Sequence, residues 1–213
     1  MSTETSHRSQ DNGPGIYLYW LPLGAGGVGF VRLNGRIYEA IKARGERRLP
    51  LDLYHTALEI RPAEGRFIVE NAWPSPDADV ASRGVVLEGP VFSSRLARYR
   101  PFRYEVRCWW NGVIADADEA VEIELLDRDP HRTQRLLDLV ATVPVMIWGR
   151  DELRVGEMWN SNSVISYLLA RSGLDTESIR PPAAGRAPGW DAGIVAARRL
   201  EQTAQSQAAS SGR

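Results

Sequence analysis

Tyr54-His-Thr-Ala-Leu-Glu-Ile60 and Arg66-Phe-Ile-Val-Glu-Asn71, joined by Arg61-Pro-Ala-Glu-Gly65, decide how this chain folds. Both runs are rich in β-branched and aromatic residues and alternate in polarity, and the connection carries a proline and a glycine. That combination predicts a β-hairpin. Working outward, Ile16-Tyr-Leu-Tyr-Trp20 reads as a further strand, Gly84–Leu87 as a short one, and Phe102–Trp109 as a longer one of alternating character, followed by a turn at Asn111-Gly112. Residues 90–96 are mixed and 73–79 read as a loop. Helical spacing marks Asn34–Arg44, with Ile37, Ala40 and Ile41 on one face, and Trp190–Glu201. A helix is also predicted from Pro130 to Val140, with Asp129 as N-cap and Pro130 at the first helical position. Strands cluster in the first half and helices flank them, so the expected class is α+β with a mainly antiparallel sheet.

A second stretch, Met158-Trp-Asn-Ser-Asn-Ser-Val-Ile-Ser-Tyr-Leu-Leu169, places small polar residues at the start of an apolar helix. Asn and Ser are favoured N-caps, and Val164, Ile165, Leu168 and Leu169 follow at helical spacing. The commonest role of such a segment is capping alone. Its functional role would be different: a hydroxyl in the first turn lies beside unpaired backbone N–H groups and the positive end of the helix dipole, a field that favours a developing alkoxide or oxyanion.

Composition narrows the field. A chain of 213 residues with 43% hydrophobic content can bury one substantial core. The expected organisation is a disordered head over 1–14, one α+β domain over 15–201, and a disordered tail over 202–213. The formal net charge of −1 implies no general pull toward nucleic acid or an anionic membrane. The basic stripe Arg95, Arg98, Arg100 and Arg103 reads as surface. The single cysteine, Cys108, excludes an internal disulfide and a Cys-based zinc site, and its strand context reads as packing. The loop Gly24-Ala-Gly-Gly-Val-Gly29 lacks the Gly-Lys-Ser/Thr ending of a phosphate loop and the context of a dinucleotide fingerprint. The acidic run from Asp116 through Glu119, Glu122 and Glu124 lacks the ligand pattern of a calcium loop and reads as a solvated face. A polar head with no apolar run, and no stretch of membrane-spanning length, predict a cytoplasmic protein with no membrane span. The seven tryptophans mostly read as packing.

Of three histidines, His7 lies in the polar head and His131 in the first turn of a helix. His55 sits within a strand. It is either a satisfied structural residue or a general base held on a rigid element. Closing the hairpin puts Glu70 or Asn71 roughly opposite it, and either could fix the imidazole tautomer.

A strand histidine, a polar residue on the neighbouring strand and a nucleophile opening a later helix together resemble the permuted papain-like superfamily, the relatives of NlpC/P60 peptidases and lecithin-retinol acyltransferases. The family motif, Asn/Asp-Cys-x-x-Phe/Leu-Val, is similar to Asn160-Ser-Asn-Ser-Val-Ile165, with Ser161 where the family carries Cys. The resemblance spans roughly Tyr17 to Gly173 and rests on short motifs and their order. It implies a permuted NlpC/P60-like fold and a serine-dependent hydrolase or acyltransferase acting on an amide or ester bond. Ser161 would be nucleophile, His55 base, and Glu70 or Asn71 the orienting group. The backbone N–H groups of Asn162 and Ser163, with the Asn160 or Asn162 amide, would bind the oxyanion, and Trp159 would wall the pocket. Cys-to-Ser replacement also fits a catalytically inactive member, a binding or interaction domain using the same cleft. Neither reading requires a cofactor. The expected partner is a small-molecule, lipid or peptide ligand rather than nucleic acid.

Overall fold

The computed structural model describes residues 13–24, 39, 43–45, 47–74, 84–114 and 116–211. Strands β1 (Gly15–Pro22), β2 (Tyr54–Arg61), β3 (Phe67–Ala72), β4 (Val85–Pro90), β5 (Arg103–Trp110) and β6 (Glu122–Asp127) form one sheet in the order β4-β5-β3-β2-β1-β6. Every pairing is antiparallel. Helices α1 (Pro130–Leu139), α2 (Ser161–Ser172) and α3 (Trp190–Ser211) follow. The expected α+β class with an antiparallel sheet is what the chain adopts.

Strand periodicity divides the side chains between two faces. Ile16, Leu18, Trp20, Leu58, Ile60, Val69, Tyr104 and Val106 join the core built with α1, α2 and α3. Tyr17, Tyr19, Leu21, Ala57 and Ile68 form a second cluster on the other side with Ile114, supported by Trp109, Ala117 and Ala120. Helix α2 is buried from Ser161 through Leu169, so it is the central helix rather than a half-exposed one. α3 crosses it closely at Gly193, where a Cβ would collide with Ser163 O and Ser166 Oγ. α2 ends at Gly173 in the left-handed conformation (φ 90°), the usual chemistry of a helix C-terminus.

Several elements depart from expectation. The expected helix 34–44 and the Gly-rich loop lie mainly outside the described residues, as does the head over 1–12. Glu122–Asp127 is a strand rather than only a solvated acidic stretch; its pairing with β1 on the sheet edge leaves its residues half-buried. α3 continues to Ser211 instead of ending near Glu201. The Ala- and Gln-rich sequence beyond Glu201 has high helix propensity and extends the helix into solvent without packing. Asp129 accepts from His131 N at 3.0 Å and Pro130 follows, as the sequence predicts for α1. Among the described residues no helix is long and apolar enough to cross a membrane.

The feature that positions the site is a split in the sheet. β2 pairs with β3 only at Leu58↔Val69, Glu59↔Ile68 and Ile60↔Phe67. Beyond that point β3 follows β5 as far as Ala72↔Glu105, whereas β2 stays with β1 to Pro22↔Tyr54. The backbone groups of Tyr54 that β3 leaves unpaired find other partners. Tyr54 N donates to Arg186 O (2.8 Å), and Asn162 Nδ2 donates to Tyr54 O (2.9 Å). These groups lie in the ladder plane, so the first turn of α2 and the 186–189 segment wedge into the gap beside β2.

Candidate active site

The first turn of α2 divides its duties among four consecutive residues. Asn160 is the N-cap in extended conformation (φ −160°, ψ −164°). Its Oδ1 accepts from Asn162 N (2.9 Å) and Ser163 N (3.4 Å), and Ser163 Oγ accepts from Asn160 N (3.0 Å), closing a capping box. Ser163 Oγ also donates to Gly189 O at 2.7 Å. Gly189 itself is left-handed (φ +86°), and a Cβ there would strike the Asn160 side chain, so glycine permits this close approach. The Asn162 amide is committed to the split. It donates to Tyr54 O and Pro188 O (2.9 Å each), and its Oδ1 accepts from Thr56 Oγ1 (3.0 Å).

Ser161 remains. It is 8% exposed, and its hydroxyl joins no hydrogen bond among the described residues. Capping therefore does not account for it, because Asn160 and Ser163 perform that work. The same geometry revises the expected oxyanion donors. The N–H groups of Asn162 and Ser163 are already taken by Asn160 Oδ1, so the open first-turn donor is the N–H of Ser161 itself. The Asn162 amide is likewise occupied. Asn160 Nδ2 donates to Pro188 O at 2.8 Å. Trp159 is 1% exposed and belongs to the helix-side core.

His55 lies between the two β2 residues that hold Asn162. Its Nε2 is 3.0 Å from Asp116 Oδ2, and both side chains are largely buried, with 24% and 11% exposure. In the tautomer in which Nε2 donates to this carboxylate, Nδ1 is the ring nitrogen free to accept a proton. The orienting contact thus comes from Asp116, 61 residues along the chain, rather than from Glu70 or Asn71. Local pattern carried no signal for it: Asp116 sits in an acidic stretch whose sequence looks merely solvated, and only the fold brings it to β2.

Glu70 is nevertheless close enough to feel both His55 and Asp116. Burial pushes its carboxyl above the usual range; the Arg107 charge and hydrogen bond oppose that shift, Asp116 adds to it and His55 works against it. Arg107 Nη1 donates to Glu70 (3.2 Å), while its Nε and Nη2 clasp the fully buried Glu105 (2.9 and 2.8 Å) and Nη2 reaches Trp73 O (2.9 Å). Asn71 pairs across to Val106 of β5, away from β2, and its amide makes no hydrogen bond among the described residues. Arg107 and Glu105 complete a polar cluster that sequence reading did not assemble. Among the described residues no group of three or more His, Cys, Asp or Glu is arranged to hold a metal ion. Cys108 is packed, and burial raises its thiol to about 11, far from a reactive thiolate.

No family model, curated protein or solved structure matches the chain.

Proposed function

We propose that the chain is a serine-dependent acyl hydrolase or acyltransferase of permuted NlpC/P60-like type, with Ser161 as nucleophile, His55 as base and Asp116 as the group orienting the imidazole. The observation that carries the reading is the uncommitted Ser161 hydroxyl, set in a first turn whose neighbouring side chains, Asn160, Asn162 and Ser163, are all engaged. Asn162 ties that turn to the residues on either side of His55.

In this mechanism Ser161 Oγ attacks the acyl carbon of an ester or amide while His55 Nδ1 takes the hydroxyl proton. The negative oxygen faces the Ser161 N–H and the positive end of α2. His55 then returns the proton to the departing alcohol or amine, and water or a second acceptor takes the acyl group by the same steps in reverse. General-base assistance of this kind contributes about 10²–10⁴-fold. Asp116 holds the tautomer and stabilises the imidazolium that forms, and Glu70 adds negative potential nearby.

A second reading, a binding domain that uses the same cleft without catalysis, is favoured by two facts: no hydrogen bond joins Ser161 to His55, and strand alternation sets His55 on the face with Ala57 and Glu59, whereas Tyr54 and Thr56 face α2. Hydrolysis of a panel of activated esters and anilides separates the two. The enzyme reading expects turnover that Ser161→Ala and His55→Ala each abolish and Asp116→Asn lowers by at least about tenfold. Turnover unchanged by Ser161→Ala, or none from a folded sample, overturns it in favour of binding.

A further inference from the structure

The connection between β4 and β5 is a closed loop with an unusual surface. Pro90 pairs with Arg103, and Val91 N donates to Phe102 O (2.9 Å), so the loop's ends meet. Two 3-10 turns, Leu96–Arg98 and Arg100–Phe102, give it fixed form. Its apolar rings point outward: Phe92 is 59% exposed, Tyr99 50% and Phe102 36%. Phe92 adopts φ +59°, a conformation costly for a bulky side chain. It is held there by a hydrogen bond from its N–H to Trp148 O (3.0 Å), and its ring lies against Gly149. Trp148 in turn stacks near Trp73, itself 46% exposed. A strained backbone conformation thus displays a phenyl ring to solvent.

The charge of the loop is one-sided. Between Val91 and Arg103 the sequence has four arginines, at 95, 98, 100 and 103, and no acidic residue. Arg103 is bonded to Glu88 (2.9 Å) at the loop's base, whereas Arg95 and Arg98 are exposed, with the Arg98 guanidinium over the Tyr99 ring. The whole chain has a net charge of −1, so this positive region is local rather than a general property.

We propose that this loop docks on the surface of a bilayer containing anionic phospholipid, with Phe92, Tyr99 and Phe102 entering the interfacial layer and Arg95 and Arg98 meeting the headgroup phosphates. Exposed rings combined with arginines suit an interface that is apolar on one side and anionic on the other. A compact loop closed at its base presents them at one place. A nucleic acid strand would instead call for a basic groove along which phosphates run. The attachment is peripheral and does not depend on Ser161 or His55.

Co-sedimentation of the full chain with vesicles of phosphatidylcholine alone, and of phosphatidylcholine mixed with phosphatidylglycerol, tests this. Binding to the mixed vesicles alone is expected, weakening with added salt. Arg95→Gln with Arg98→Gln lowers it by about thirtyfold, at roughly 1 kcal/mol per arginine. Phe92→Ser lowers it by about fivefold even at low salt. These side chains are exposed, and an unchanged thermal melt verifies that the variants fold. Ser161→Ala binds like the parent, so failure here and failure of the catalytic reading are distinguishable. Absence of binding by the folded parent, or equal binding to neutral and mixed vesicles, overturns the proposal. So does capture of a single-stranded oligonucleotide that the arginine variant loses, without vesicle binding.

Discussion

Leu58 and Glu59 are neighbours on β2, both almost fully buried, yet they face opposite sides of the sheet and belong to different kinds of interior. Leu58 enters an apolar core with Trp20, Ile60, Val69 and Ile165. Glu59 accepts from Tyr19 Oη (2.5 Å), Arg61 Nε (2.8 Å) and Arg66 Nη1 (3.4 Å), on the face that also carries Glu105–Arg107–Glu70 and His55–Asp116. The helix face draws its stability from area removed from water. The other face holds ionised groups whose desolvation must be offset by pairing, which contributes little net stability but fixes side chains in place. The contrast teaches where chemistry can be built: a sheet anchored by one face is free to order charges on the other.

The largest effect expected from breaking this contrast is on the apolar side. Trp20→Ala removes a fully buried ring packed on Trp190 and Tyr54, and lowers unfolding free energy by about 3–5 kcal/mol in urea titration. On the charged side, Glu59→Ala removes the acceptor shared by Tyr19, Arg61 and Arg66. Because both arginines reach solvent, the expected loss is smaller, about 2 kcal/mol by the same titration. Its pH dependence sharpens the point. Burial alone would raise the Glu59 carboxyl, but the hydrogen bonds from Arg61 and Tyr19, with the charges of Arg61 and Arg66, bring it below the usual range. Its contribution is therefore present above the ordinary glutamate value and is lost as pH falls through the lowered one. Glu59→Gln flattens that acid limb.

Between the two faces, Asn162→Ala removes three bonds that fasten α2 to the split; a loss of about 1–2 kcal/mol in thermal melts is expected. On the proposed mechanism activity falls further than stability in this variant, since the first turn loses its tie to the strand that carries His55. The smallest effect concerns Glu70. Its carboxyl is raised by burial, so the unfolded chain ionises it first as pH increases. Stability contributed at this position thus declines as pH climbs from the ordinary glutamate value through the raised one, and Glu70→Gln abolishes that decline in pH-dependent melts.

How much of this could be read from the sequence follows from the range of the interactions. The β2–β3 hairpin, the Asp129–Pro130 helix start and the Asn160 cap are local, and alternation or spacing announces them. The hairpin misled on one point. The expected register sets Asn71 or Glu70 roughly against His55, whereas the observed register, if continued, would bring Ala72 there, and the strands part after Leu58, where the 186–189 segment and Asn162 satisfy Tyr54 instead. Asp116 was hidden for the same reason: its role depends on a contact 61 residues distant. Ser161 was singled out from its place at a helix start, but only the cap geometry separates it from Asn160, Asn162 and Ser163, which look equivalent in sequence.

The most direct test is reaction of the folded protein with a fluorophosphonate probe, with the adduct located by peptide mass mapping. A single adduct on Ser161, absent in Ser161→Ala and His55→Ala and slowed in Asp116→Asn, is the predicted result. An adduct elsewhere, or no adduct on a chain that melts cooperatively, contradicts an activated Ser161.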